Sequence, residues 1–143
     1  MPIAFFSTDI SFVLEKKGAK KLWLKNLLQL HGITKSNINY IFCSDEYLIK
    51  INQQYLDHDT YTDIITFDLR ENLVFNQISG EIYISIERVK ENSEKQNTEF
   101  ELELLRVMSH GILHLLGYKD KTNAEKQTMR KEEDKAIQLF NKQ

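Results

Sequence analysis

Two histidines four residues apart, His110 and His114, are followed by Gly117 and Asp120, giving the pattern H-x-x-x-H-x-x-G-x-x-D. On a helix, residues at this interval lie about 40° apart around the axis and roughly 6 Å apart along it, so both imidazoles can point at one object. A glycine ends such a helix by taking the left-handed conformation without steric cost, and three further residues suffice to bring the Asp120 carboxylate to the same point. Two neutral nitrogens, one anionic oxygen and an open fourth position make up a catalytic rather than a structural zinc site. Zinc there lowers the pKa of a water toward about 7 and polarises a carbonyl or phosphoryl oxygen, so hydrolysis is the expected chemistry. Nickel or cobalt would accept the same ligands. The histidine pair alone is equally compatible with two satisfied core histidines; Gly117 and Asp120 at ligand-closing spacing favour a metal.

The elements that must hold these residues follow from hydrophobic periodicity. Phe100 to Leu116 is apolar at helical spacing, with Leu104, Val107, Met108, Ile112, Leu115 and Leu116 on an inward face. Thr98 and Glu101 supply an S/T-x-x-E start signal. Upstream, Ile3 to Phe6 reads as a first strand and Lys17 to Leu30 as an amphipathic helix. In that helix Trp23, Leu27 and Leu30 share one face, and Lys17, Lys21 and Lys25 form a stripe on another, either a solvated face or a binding surface for phosphates. Asn39 to Cys43 reads as the second strand, and Ser44-Asp45-Glu46 opens a helix to about Tyr55 with Leu48, Ile51 and Tyr55 inward. Asp63 to Leu69 is a third strand suited to a sheet position near an edge, and Gly80 to Ile84 a fourth. His58, between two aspartates, reads as a surface residue in the intervening turn. Arg88 to Lys95 and Asn123 to Phe140 complete the helices, the last capped by Thr122 and Glu125 and burying Met129, Ala136, Ile137 and Phe140. The order β-α-β-α-β-β-α-α-α predicts an α+β fold, a mixed four-stranded sheet packed with helices around a central, zincin-like metal-binding helix.

Residues 1–143, with 41% hydrophobic composition, suit one domain with a real core. The single cysteine, Cys43, excludes a disulfide within the chain and cysteine-based zinc ligation; in the apolar run NYIFCS it reads as a buried thiol rather than a nucleophile. No stretch approaches the roughly 18 apolar residues of a membrane span, and MPIAFFSTD lacks the features of a secretory signal, so a cytoplasmic location is expected. A formal net charge of −2 argues against a globally basic nucleic-acid binder, though not against a local basic stripe.

The spacing of His110, His114 and Gly117 matches metzincin proteases, but those carry a glutamate base after the first histidine where this chain has Gly111, which disfavours a peptidase. HGILHLLGYKD instead resembles the H-G-x-L-H-L-x-G-Y-D-H signature of the YbeY family, bacterial rRNA maturation factors described as single-strand-specific endoribonucleases. TDIITF at 62–67 is similar to that family's T-D-V-L-S-F, and GEIYIS at 80–85 to its G-D-I-x-I-S. The resemblance spans nearly the whole chain and implies a zinc-dependent endoribonuclease in rRNA processing and ribosome biogenesis. It also implies single-stranded rRNA on the small ribosomal subunit as partner, with Thr62 and Asp63 lining the substrate groove. Asp63 has a second reading, as a strand-start cap. Two positions depart from the pattern. Lys119-Asp120 stands where the family has Asp-His, making the third ligand a carboxylate, and Leu56 stands where the family commonly has an arginine suited to phosphate; Arg70 or Lys119 could replace it. The alternatives are a ribosome-assembly RNA-binding factor with a structural metal and little nuclease activity, a metalloprotease lacking its glutamate, and a 2-His-1-carboxylate iron oxygenase.

Overall fold

In a computed structural model the described residues are 2–56, 62–72 and 74–143. Strands β1 (Ile3–Ser7), β2 (Lys35–Cys43), β3 (Ile64–Asp68) and β4 (Gln77–Ser85) form one sheet in the order β1-β2-β4-β3. The pairs β1–β2 and β2–β4 are parallel, and β3 runs antiparallel to β4 at the edge, so the sheet is mixed, as the element order suggests. Helices α1 (Lys17–Leu30), α2 (Asp45–Leu56), α3 (Ile86–Lys95), α4 (Phe100–Leu115) and α5 (Asn123–Asn141) complete the α+β fold.

Strand alternation decides which helices go where. Ile38, Tyr40 and Phe42 of β2 and Ile82 and Ile84 of β4 are buried in a large cluster with Trp23, Leu24 and Leu28 of α1, Val89 of α3, Leu104, Met108 and Ile112 of α4, and Ala136 of α5. Cys43 and Ile65 point the other way and pack with Leu48 and Ile51 of α2. Four helices therefore contribute to one face and α2 to the other. Two buried hydrogen bonds fix the large cluster: Trp23 Nε1 donates to the Ala136 carbonyl and Tyr40 Oη to the Met108 carbonyl, each at 2.7 Å. The second anchors α4 to the sheet two residues before His110.

Several expectations need correction. β2 and β4 begin at Lys35 and Gln77, earlier than alternation alone indicates, because the parallel ladder continues through polar residues to the Lys35–Gln77 pair. Leu30 is 71% exposed; the buried stripe of α1 runs through Lys20, Trp23, Leu24, Leu27 and Leu28, and its next helical step falls on His31, not Leu30. Tyr55 is 64% exposed and leans edge-on against Phe67, 5.9 Å between ring centroids, at the rim of the smaller cluster. The start signal at Thr98 is not used: Glu99 is the N-cap of α4, without a side-chain cap bond. Glu101 instead meets Lys20, whose fully buried ammonium lies 2.6 Å from it and donates to the Glu15 carbonyl at 2.7 Å. A buried ammonium requires such a partner, and this demand outweighs a cap. The capping box at Thr122 and Glu125 is present as expected.

Candidate metal centre

Helix α4 stops where the glycine demands. Gly117 has φ +105°, Gly117 N–H donates to the His114 carbonyl and Tyr118 N–H to the Leu113 carbonyl, both at 3.0 Å. This is the paired-bond glycine terminus that satisfies the last carbonyls of a helix, and it turns the chain back toward its own last turn. Asp120 is thereby carried to the histidines: its Oδ2 lies 3.2 Å from His110 Nε2 and 3.4 Å from His114 Nε2. One donor atom from each residue falls within 4.8 Å of the others. Donors bound to a tetrahedral cation at about 2.0–2.1 Å stand roughly 3.3–3.4 Å apart, so this donor set fits a zinc-sized ion in type and in spacing.

Behind His110 stands a residue that motif reading did not find. Glu133 on α5 is buried, and its Oε2 accepts a hydrogen bond from His110 Nδ1 at 2.6 Å. With Nδ1 carrying the proton, Nε2 is left as the free donor aimed at Asp120 and the common point. Glu133 Oε1 is itself held by Arg106 Nη1 at 3.0 Å, while Arg106 Nη2 donates to Asp134 at 2.8 Å. A signal existed in the sequence: Glu133 lies on the same α5 face as Met129, Ala136 and Ile137, where a carboxylate is out of place unless something buried needs it.

His110, His114 and Asp120 open into a cleft of about 690 Å³ between α4, α5 and β3, which Thr62 and Asp63 also line. Burial alone pulls the His110 pKa down, but the hydrogen bond and charge of Glu133, with Asp120 and Asp63 beyond it, raise it overall. Burial pushes the Asp63 carboxyl up against the pull of His110, and burial together with the charge of Asp63 pushes Glu103 up. Asp63, Glu103, Asp120 and Glu133 thus crowd a cleft in which carboxylates outnumber the two arginines, Arg106 and Arg130, the electrostatic setting of a cation site. Thr62 Oγ1 donates to the Ile64 carbonyl at 3.4 Å.

Gly111 explains the missing protease base. A Cβ there would lie 2.9 Å from two methyl carbons of Ile82 and 3.1 Å from Ile64 Cδ1, so this position faces the sheet at close approach and a glutamate has no room. Cys43 is buried, its thiol pushed up to about 12 by burial and then by Asp9, Asp45 and Glu87, which suits a packing residue and no nucleophile.

Other expected contributors lie elsewhere. Lys17, Lys21 and Lys25 sit on α1 and do not line the cleft. Arg70 is engaged, its guanidinium paired with Asp68 and donating to the Leu115 carbonyl at 3.1 Å. Lys119 is exposed and outside the cleft lining. His58 and the side chain of Leu56 fall outside the described residues. No helix among the described residues is long and apolar enough to cross a membrane.

A mixed sheet with a histidine-bearing helix laid across it, closed by a glycine turn onto a carboxylate, defines a zincin-like arrangement. The family model described as Endoribonuclease YbeY matches residues 7–141, and the chain belongs to that family. The protein named Endoribonuclease YbeY from Christiangramia forsetii is 49% identical over 138 residues, covering 96% of this chain and 94% of that one. The protein of the same name from Cytophaga hutchinsonii is 47% identical over 137 residues, with the same coverage of 96% and 94%. Among solved structures, that of TM1509 from Thermotoga maritima superimposes with a TM-score of 0.66 at 28% identity, covering 97% of this chain and 89% of that one.

Proposed function

We propose that this chain is a metal-dependent, single-strand-specific endoribonuclease acting in rRNA maturation and ribosome biogenesis, built as one domain and working in the cytoplasm. The observation that carries the reading is the convergence of His110 Nε2, His114 Nε2 and Asp120 Oδ2 in an open cleft, with Glu133 fixing the His110 tautomer. Those three residues would hold one zinc ion. When bound, zinc supplies Lewis acidity toward a phosphoryl oxygen and lowers the pKa of water.

The chain's own residues do the rest. Glu133 keeps His110 Nδ1 protonated and its ring fixed. The Asp120 carboxylate adds a negative charge that a third histidine would not, moderating the Lewis acidity while preserving coordination. Thr62 and Asp63 border the space where a strand would lie, and the substrate would be single-stranded rRNA, on the small ribosomal subunit. Metal analysis by mass spectrometry on wild type and Asp120→Asn, paired with cleavage of a labelled single-stranded RNA, tests this. One zinc per wild-type chain, weakened in the variant together with cleavage, is the expected result. Zinc bound with RNA left intact would favour an assembly factor with a structural metal, and no metal in either protein would remove the ligand assignment.

Lys17, Lys21 and Lys25 would track the RNA backbone beyond the cleft. Neutralising all three should flatten the salt dependence of binding to a long RNA, by up to about 0.7 of slope for each phosphate that a lysine had neutralised. An unchanged slope would return the stripe to the role of a solvated face.

A further inference from the structure

The cleft has an electrostatic problem if its substrate is RNA. Asp63, Glu103, Asp120 and Glu133 all line it, and a phosphodiester carries one more negative charge into their midst. A cation at the metal position offsets part of that charge at one point, but a strand presents phosphates on both sides of the reacting one. Two arginines line the cleft. Arg106 is consumed by Glu133 and Asp134. Arg130 is exposed, and among the described residues it has no hydrogen bond and no ion pair.

We propose that Arg130 binds a phosphate of the RNA strand lying in this cleft, next to the metal position. The inference rests on the RNA reading above and adds to it the residue on the α5 wall that grips the substrate. Arg130 lies three residues before Glu133, so the two share one side of α5 about one turn apart. Glu133 turns inward to hold His110, and Arg130, one turn earlier, is an exposed part of the cleft lining whose five donors are not taken up by any of the described residues. A planar guanidinium can meet two non-bridging phosphate oxygens at once, which fixes the strand's direction across the metal position as well as its affinity. Buried Met129 beside it anchors the helix backbone, so the arginine stem projects from a rigid support and not from a loop.

The test uses a short single-stranded oligonucleotide, too small to reach α1, with wild type, Arg130→Gln and Arg130→Lys. For Arg130→Gln the slope of log Kd against log salt should fall by about 0.7, the value for one phosphate neutralised on a single strand. KM should rise several-fold with kcat changed much less, while metal content and melting temperature stay at wild-type values. Arg130→Lys should restore most of the salt slope, since a point charge suffices for it, and only part of the KM. A wild-type slope and KM in Arg130→Gln would overturn the proposal while leaving the nuclease reading intact. Wild-type protein that neither binds nor cuts the oligonucleotide would overturn the RNA reading, and this inference with it, before any variant is compared.

Discussion

Glu133→Ala is expected to weaken both metal retention and RNA cleavage by about 10- to 100-fold, the usual consequence of removing the group that orients a ligating histidine. Two separate losses combine. His110 Nδ1 loses its acceptor at 2.6 Å, so the ring is free to turn and to change tautomer, and Nε2 is no longer held toward Asp120. Arg106 loses one of its two carboxylates and keeps only the exposed Asp134. Leaving a largely buried guanidinium half-satisfied should cost about 2–4 kcal/mol of stability. Glu133→Gln separates the two effects, because an amide oxygen still accepts from one partner while the charge is gone. Chelator competition reads the metal side and urea denaturation the stability side; wild-type values for Glu133→Ala in both would show that Glu133 is a bystander. In metal-free protein the sign with pH also follows. His110 has a folded-state pKa raised above its ordinary 6.5, so the stability it contributes is complete below that value and is lost as pH rises through the folded-state pKa. Glu133→Ala should flatten that dependence.

Gly80→Val should cost about 3 kcal/mol and disturb the site as well. A Cβ at Gly80 would lie 2.8 Å from the Phe67 carbonyl oxygen and 2.8 Å from Leu115 Cδ1. The first neighbour is backbone of the adjacent strand and cannot yield without breaking the β3–β4 ladder, in which Gly80 pairs with Asp68. The second belongs to the residue after His114, so relief in that direction pushes away the helix end that presents a proposed ligand. Gly18 is the control: nothing lies within 4 Å of a Cβ there, and Gly18→Ala should be neutral or gain up to about 1 kcal/mol from helix propensity. Thermal or urea melting of the two variants decides it, and a Gly80→Val protein as stable as wild type would mean that the sheet accepts the side chain.

What could be read from the chain alone was whatever is settled locally. The α4 periodicity, the glycine stop at Gly117 and the return to Asp120 span residues 100 to 120, and local geometry alone brings the three donors together. The mixed sheet followed from element order and the near-edge position of β3 from its charged flanks, whereas its antiparallel direction is set by its pairing with β4. The features that were missed depend on distant partners. Glu133 is 23 residues from His110, and only the packing of α5 on α4 makes it the histidine's acceptor. Nothing in the local pattern singles out Lys20; only the meeting of α1 with α4 buries it against Glu101, which also removes Glu101 from its expected cap. Leu30 and Tyr55 are apolar residues near helix ends, and whether anything covers such a position is a property of the neighbouring elements.

The closeness in sequence of the three proposed ligands bears on the denatured chain as well. His110, His114 and Asp120 lie within eleven residues, so an unfolded polypeptide keeps them inside a small loop whose closure entropy is low. If those three residues hold the ion, such a segment would be a chelating peptide in its own right, and the denatured ensemble would retain affinity for the ion. The ion then stabilises the native state only by the ratio of its affinities for the two ensembles, not by the full native-state value. What the native state adds is the Glu133 acceptor and the walls of the cleft, both brought by elements outside the segment. A chain refolding in the presence of metal would therefore begin with its cargo loosely held and tighten its grip as α5 docks.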